Sequence, residues 1–243
     1  MFAHGYGCDQ AMWRHVTPAF EDEFRIVLFD HVGCGNSDPA AFSRTRYSSL
    51  NGYARDVLEI IEELDLKKIT FVGHSVSSMI GALAAIERPD RFENLVMIGP
   101  SPCYINDGDY VGGFERSDID GLLETLENNH LGWSATMAPL IMGNPQHPEL
   151  TRELEASFCR TNPVFAQHFA RVTFLSDNRA DLSKIKTPTL ILQCQSDAIA
   201  PGAVGEYCRK CIQNSQFTIL DATGHCPHMS APQKVIEAMR LFL

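Results

Sequence analysis

The stretch ITFVGHSVSSMIGALAAI, residues 69–86, decides the fold. Its aliphatic and β-branched start, Ile69 to Gly73, is typical of a strand buried on both faces of a parallel sheet, and the remainder has a helical pattern. Ser75 lies at the abrupt turn between the strand and the helix, where a serine hydroxyl is accessible for attack on a substrate. Such a turn crowds its neighbours, so small residues are usual two before and two after the serine. Gly73 fits and Ser77 departs from the usual glycine, so we expect the turn to form with some strain.

A base and an acid follow Ser75 in the chain. His225 comes after Gly224 and a strand-like run, and its imidazole can take and return a proton near neutrality. Asp197 follows Leu190-Ile191-Leu192-Gln193 and would hold that imidazole in the right tautomer. The order Ser, Asp, His is the order of the triad in α/β hydrolases, so these three residues are the predicted catalytic group.

Other residues compete for the two partner roles. His228 and His74 are alternatives to His225, but only His225 directly follows a glycine and the last strand. Asp107 and Asp177 are alternatives to Asp197, but neither directly follows a strand. Position therefore favours Asp197 and His225.

Acyl transfer also needs donors where the carbonyl oxygen becomes negative. The backbone N–H of Val76, at the start of the helix after Ser75, is one predicted donor. The other is the N–H of Tyr6, because His4-Gly5 stands where an oxyanion loop is expected.

Alternating strand and helix patterns predict βαβ units around this site and one mostly parallel sheet flanked by helices. Residues 101–183 do not follow this alternation of strands and helices, since they contain helical segments and no convincing strand. We expect a core of residues 1–100 and 184–243 and an inserted helical cap over 101–183. The predicted strands are 25–30, 69–73, 95–99, 189–193 and 217–220, and the predicted helices are 50–64, 79–86, 122–131, 133–142, 148–159, 163–175 and 232–243.

The first strand is cut to Met1-Phe2-Ala3, so the usual antiparallel entry strands have no sequence to form them. Either the chain is truncated or the sheet is smaller and has an exposed edge, which is an aggregation liability.

The composition limits the classes of molecule that the protein is expected to bind. A net charge of -10 without a basic run argues against nucleic acid and anionic membrane surfaces, and favours a neutral or weakly polar small molecule. No stretch is apolar enough to span a bilayer and no signal peptide is visible, so a cytoplasmic location is expected. The 8 cysteines match no disulfide framework and are expected to be reduced.

No cofactor or metal is predicted. Cys208 and Cys211 have metal or redox spacing, but no second pair accompanies them, so incidental surface cysteines on a helix are the better interpretation. His225, Cys226 and His228 could be ligands, yet a triad role for His225 leaves no need for a metal.

The assembled motifs closely resemble the RsbQ family, bacterial α/β hydrolases related to the plant karrikin and strigolactone receptors, over nearly the whole chain. The motifs that carry the resemblance are His4-Gly5-Tyr6-Gly7-Cys8-Asp9-Gln10, Gly73-His74-Ser75-Val76, Gly99-Pro100-Ser101-Pro102-Cys103-Tyr104, Gly112-Gly113-Phe114-Glu115 and Gly224-His225-Cys226-Pro227-His228-Met229-Ser230.

This resemblance implies a V-shaped cap of four helices over a hydrophobic pocket. Tyr104, Trp133, Met137 and Phe174 match positions that line the pocket in the wider family. RsbQ-like hydrolases are positive regulators of a stress response and work with a phosphatase that carries a PAS sensor domain.

Three functions follow as hypotheses. The leading one is slow hydrolysis of a small hydrophobic ester or lactone through an acyl-enzyme, in a signalling role. The second is a metabolic carboxylesterase or carbon–carbon bond hydrolase with the same triad. The third is a ligand-binding receptor that does not need the triad.

Overall fold

The computed structural model describes residues 1–243 and contains one sheet of six strands, flanked by helices. The spatial order is β2-β1-β3-β4-β5-β6 and every pairing is parallel. The predicted fold class is therefore confirmed. The strands are β1 Phe2–Ala3, β2 Leu28–Phe29, β3 Ile69–His74, β4 Phe92–Ile98, β5 Thr189–Ser196 and β6 Ser215–Thr223.

Nine α-helices accompany the sheet. None has the length and apolar composition needed to cross a bilayer. They are α1 Leu50–Glu63, α2 Val76–Glu87, α3 Arg116–Asn128, α4 His130–Met142, α5 Pro148–Arg160, α6 Pro163–Phe174, α7 Gly202–Cys211, α8 Pro227–Ser230 and α9 Pro232–Phe242.

Helix α2 is buried along almost its whole length, which explains why residues 76–87 are nearly all small or apolar. Helix α1 packs against it with one face. The predicted face of α1 includes Leu64, but this residue lies beyond the end of the helix and is 39% exposed. The remaining members of that face are buried: Leu50, Tyr53, Ala54, Val57 and Ile61.

Strand β2 is shorter than the predicted strand 25–30. It pairs only with β1, and β1 offers only Phe2 and Ala3 for pairing. An apolar groove of about 290 Å³ continues the line of β1, between residues 25–27 and 68–70. Pairing partners, rather than β propensity, set the length of this strand.

Helices α3 to α6 lie between β4 and β5 in the chain, within the predicted cap. Helix α4 packs against α3 and α5, and α3 packs against α6. The segment contains no strand, only isolated bridges such as Cys103 with Asp177. The V shape of this cap and the residue bounds of the two predicted domains stay predictions.

All eight cysteines are unbonded. Cys208 and Cys211 do lie on helix α7, but Cys208 is fully buried in the core rather than on the surface. A small apolar thiol suits the face of α7 that packs on β5, and this corrects the surface position expected from the sequence.

Candidate active site

Ser75 stands at the carboxyl end of β3, directly before the first residue of α2. Its backbone has φ +55° and ψ -124°, a conformation that L-residues rarely adopt, so the expected strain is present. Gly73 is required here, since a Cβ at that position would lie 2.4 Å from the carbonyl oxygen of Ser77. The turn thus presents the Ser75 side chain at the edge of the sheet.

Asp197 and His225 reach Ser75 from the ends of two neighbouring strands. Asp197 directly follows β5, and His225 follows β6 after Gly224. The Ser75 hydroxyl lies 2.8 Å from His225 Nε2, and His225 Nδ1 lies 2.7 Å from Asp197 Oδ2. The Asp197 and His225 side chains are 1% and 4% exposed. The structure therefore brings the three predicted residues into one hydrogen-bonded chain.

The Asp197 carboxylate is built to stay ionised. Burial alone would raise its pKa, but the neighbouring His225 ring and two backbone donors outweigh burial and lower the pKa of Asp197 below its usual value. Those donors are the amides of Ile199 and Ala200, which both donate to Oδ1. Oδ2 is left to accept the Nδ1 proton of His225, which turns the free Nε2 lone pair towards Ser75.

The loop that carries His225 is held by two backbone contacts. The His225 amide donates to the carbonyl of Ile141 at the end of α4, over 2.8 Å. The His225 carbonyl accepts from His74 Nε2, also over 2.8 Å. Gly224 has φ +89°, and a Cβ there would lie 1.9 Å from the Met142 carbonyl oxygen. Only glycine lets this loop pass so close to α4.

The competing histidines have other positions. His74 uses its Nε2 for the His225 carbonyl, and its ring packs on that of His225 with centroids 4.9 Å apart. His228 is fully buried between Trp13 and His74, and neither of its ring nitrogens has a partner in the protein. The possible metal-ligand atoms of His74, Cys226 and His228 lie within 4.8 Å of one another, next to His225 in the chain and in the packing.

The competing aspartates lie away from Ser75. Asp107 and Asp177 both accept hydrogen bonds from the Arg179 guanidinium, at 2.8 Å and 2.6 Å. Both carboxylates are exposed, and neither contacts His225. Of the candidate acids, only Asp197 reaches the imidazole.

Neither of the two predicted oxyanion donors makes a hydrogen bond within the protein. Val76 is the first residue of α2, so its amide has no acceptor inside the helix. The Tyr6 amide makes no hydrogen bond within the protein. The loop before Tyr6 runs against the serine, because a Cβ at Gly5 would lie 3.4 Å from Ser75 Cβ. Two free N–H groups thus flank the nucleophile, as an oxyanion hole requires.

A small apolar cavity of about 30 Å³ lies over Ser75. Two of the four predicted pocket residues, Tyr104 and Phe174, line it; Trp133 and Met137 do not. Trp133 packs against the Tyr6 and Phe158 rings at 5.8 Å and 5.4 Å, so it forms the layer behind the lining. The other lining residues are Tyr6, Cys8, His74, Ile141, Leu154, Phe158, Thr173, Ile199, His225 and Cys226.

Helix α6 also holds the oxyanion loop. The Tyr6 hydroxyl donates to the carbonyl of Ala166 over 3.1 Å, and the Tyr6 ring contacts Phe169 and Phe174 of the same helix. Burial raises the pKa of the Tyr6 hydroxyl well above its usual value, so it stays protonated and a donor. The inserted helices therefore contribute to the geometry of the loop next to Ser75.

Four buried histidines surround this site, and burial lowers the pKa of each. A histidine that stays neutral in the folded protein but is protonated when unfolded makes folding less favourable as pH falls below about 6.5. For His74 this loss continues to a pKa of about 3. The four residues are His4, His31, His74 and His228.

We therefore expect the free energy of unfolding to fall from pH 7 to pH 5, with a slope that approaches about 1.4 kcal/mol per pH unit below about pH 6 for each histidine that remains neutral. Urea unfolding across this range measures the slope. His228→Phe keeps an aromatic ring between Trp13 and His74 but removes one titrating group. The free energy of unfolding of this variant should therefore fall less steeply as pH decreases, by the contribution of one histidine. An equal slope in the variant and the unsubstituted protein would contradict the assignment.

A serine, an imidazole and a buried carboxylate aligned at the carboxyl edge of a parallel sheet define an α/β-fold serine hydrolase. Residues 1–238 match the model of the alpha/beta hydrolase family, and the chain belongs to that family.

Named relatives and solved structures cover nearly the whole chain. Karrikin insensitive 2 receptor CA of Petunia hybrida is 38% identical over 240 residues, which are 98% of this chain and 89% of the relative. Strigolactone esterase D14 of Arabidopsis thaliana is 36% identical over 98% of this chain and 89% of its own length. A solved hydrolase from Oleispira antarctica is 46% identical, with a TM-score of 0.97 over 99% of this chain and 89% of that one.

Two features of the site were not predicted from sequence. One is the bond from His74 to the His225 carbonyl, and the other is the set of hydrogen bonds made by Ser77. The only signal for the second was the departure from glycine at position 77.

Proposed function

We propose that this protein hydrolyses small hydrophobic esters or lactones through an acyl-enzyme formed on Ser75. One observation carries the proposal: the continuous hydrogen-bonded chain from the Ser75 hydroxyl through His225 to the buried Asp197 carboxylate. The name of the relative strigolactone esterase D14 supports an ester or lactone as the substrate class.

The catalytic cycle begins when His225 Nε2 takes the proton of the Ser75 hydroxyl as the oxygen attacks the substrate carbonyl carbon. The tetrahedral intermediate places its negative oxygen between the amides of Tyr6 and Val76. His225 then gives the proton to the leaving alkoxide, and the acyl group remains on Ser75. A water molecule, deprotonated by His225, attacks this ester and releases the acid.

The lining of the cavity favours an apolar substrate of small size. The lining contains no Asp, Glu, Lys or Arg side chain, and burial lowers the pKa of His74, so that its ring is uncharged at neutral pH. A space of about 30 Å³ holds about one water molecule, so every acyl group requires side chains of the inserted helices to move, and longer groups require a larger movement.

The direct test is a hydrolysis panel: p-nitrophenyl acetate, butyrate and octanoate, and a small lactone. We expect saturable turnover that is fastest with the shortest acyl chain and absent in Ser75→Ala. A panel without turnover above that of Ser75→Ala would reject the proposal. High turnover on every chain length would favour a metabolic carboxylesterase instead.

Phe174 is expected to limit the acyl chain. It lines the cavity from the end of α6, whereas Phe169 on the same helix is buried without lining it. Phe174→Leu should therefore raise kcat/KM for the butyrate relative to the acetate by about tenfold, and Phe169→Leu should leave that ratio unchanged. Equal ratios in the two variants would show that Phe174 does not set the chain length.

A signalling role belongs to the same proposal. The resemblance to RsbQ and the receptor names among the relatives support a product or ligand that is passed to a sensor, with a PAS-domain phosphatase as the expected partner. A stress-response assay in cells carrying Ser75→Ala tests this role. Loss of the response in Ser75→Ala cells alone supports signalling through hydrolysis. A response retained in Ser75→Ala cells supports a receptor that needs only binding. Absence of the response in cells with the unsubstituted protein as well rejects signalling.

A further inference from the structure

Ser77 occupies the position of the usual glycine and is fully buried on α2, two residues after the nucleophile. Its hydroxyl lies 2.5 Å from the carbonyl oxygen of His4 and 2.7 Å from Nε2 of His31. These residues are 73 and 46 positions away in the chain. The hydroxyl therefore joins α2 to the loop after β1 and the loop after β2.

The number of available protons fixes which group donates in each of the two hydrogen bonds of Ser77. A carbonyl oxygen only accepts, so the single proton of the Ser77 hydroxyl lies on the bond to His4. The Ser77 oxygen must then accept, which requires the proton of His31 to be on Nε2. His31 Nδ1 has no partner and carries no proton. Burial lowers the pKa of His31 well below its usual value, in agreement with this neutral tautomer.

His4 is held a second time through its ring. The His31 amide donates to His4 Nε2 over 3.0 Å, which leaves the His4 proton on Nδ1. That proton points to the Gly5 carbonyl at 2.8 Å. Both the backbone and the ring of His4 are therefore fixed, two positions before the Tyr6 amide.

We propose that Ser77 is a positioning residue for the oxyanion hole, acting through the His4 carbonyl on the Tyr6 amide. The two donors have different supports: Val76 is part of α2, whereas Tyr6 belongs to a loop without regular structure. By fastening that loop to α2, Ser77 fixes the distance between the donors. The inference rests on the proposed hydrolysis, because the oxyanion hole acts only when a carbonyl is attacked.

Ser77→Ala removes the hydroxyl and keeps Cβ. Ser78→Ala is the matched control, since Ser78 is also buried on α2 and donates to a backbone carbonyl, that of Gly73, without contacting the oxyanion loop. We expect Ser77→Ala to lower kcat for p-nitrophenyl acetate about tenfold with KM within about twofold. Ser78→Ala should keep kcat within about threefold, and Ser77→Thr, which retains the hydroxyl, should recover most of it.

Phenylboronic acid gives a second readout, because its adduct with Ser75 places an anionic oxygen in the hole. Its affinity should fall by about the same factor as kcat in Ser77→Ala and not in Ser78→Ala. Equal kcat losses in the two alanine variants, or a Ser77→Ala effect confined to KM, would overturn the proposal.

Hydrogen exchange separates this inference from the proposed function. If the unsubstituted protein hydrolyses no ester, the proposed function fails, but the positioning of the loop is still measurable. The amides of Cys8 and His31, which donate to the Gly5 carbonyl and to His4 Nε2, should exchange faster in Ser77→Ala than in Ser78→Ala. Identical exchange in the two variants would overturn the positioning role whatever the activity.

Discussion

Ser75→Ala is expected to lower kcat for p-nitrophenyl acetate by about 10⁴-fold or more, because the acyl-enzyme route is lost when the nucleophilic oxygen is removed. The substitution keeps Cβ, so the unusual backbone at φ +55° and the packing around it remain. KM for any residual hydrolysis and the unfolding midpoint in urea should change little. Stopped-flow absorbance of the released nitrophenol measures both the burst and the steady rate.

Ser78→Ala serves as the control for this variant as well. Ser78 lies three residues later, on α2, and is also buried, but its hydroxyl donates to the Gly73 carbonyl and makes no hydrogen bond to His225. Retention of more than about one tenth of the original kcat in Ser75→Ala would mean that another nucleophile or a directly activated water performs the reaction.

The second large effect is expected for Asp197→Asn. The Asn oxygen can keep the bonds from the Ile199 and Ala200 amides, so its NH₂ group faces His225 Nδ1. The imidazole must then accept at Nδ1 and carry its proton on Nε2, facing Ser75, where it can no longer take the serine proton. We expect kcat at neutral pH to fall by about 10³- to 10⁴-fold.

Asp177→Asn is the matched control. Asp177 was a competing candidate on sequence grounds, but it is exposed and pairs with Arg179. Its substitution should leave kcat within about twofold. Losses of similar size in the two variants would contradict a specific role for Asp197 and point to a general effect of removing negative charge.

The catalytic geometry follows from sequence because each catalytic residue lies one or two positions after a strand. Strands β3, β5 and β6 end at His74, Ser196 and Thr223, and parallel strands place their carboxyl ends at one edge. Ser75, Asp197 and His225 could therefore be placed together from the chain alone. The same logic excluded Asp107 and Asp177, which follow no strand.

Element boundaries were less predictable. Helix α3 begins at Arg116 rather than Leu122, because the side chains of Glu115 and Asp118 form a capping box that outweighs the lack of apolar residues in the first turn. The break between α3 and α4 falls at Asn129, whose side chain accepts from the Gly132 amide. These capping signals are local and could have been read from the sequence.

The cavity and the Ser77 bonds depend on residues far apart in the chain. The volume over Ser75 is set by side chains from β3, α4, α5, α6 and four loops, and no local pattern gives their packing. Likewise, His4, His31 and Ser77 meet only after the sheet has formed. Sequence could mark Ser77 as unusual, but only the structure gives its partners.

The most direct measurement is labelling of the unsubstituted protein with a serine-directed fluorophosphonate, followed by peptide mass spectrometry. Activated serines react, whereas ordinary buried or exposed serines do not, and the adduct mass locates the site. We expect one adduct per chain, on Ser75, and none in Ser75→Ala. Adducts on another serine, or an unlabelled protein after prolonged incubation, would contradict the claim that the fold makes this hydroxyl a nucleophile.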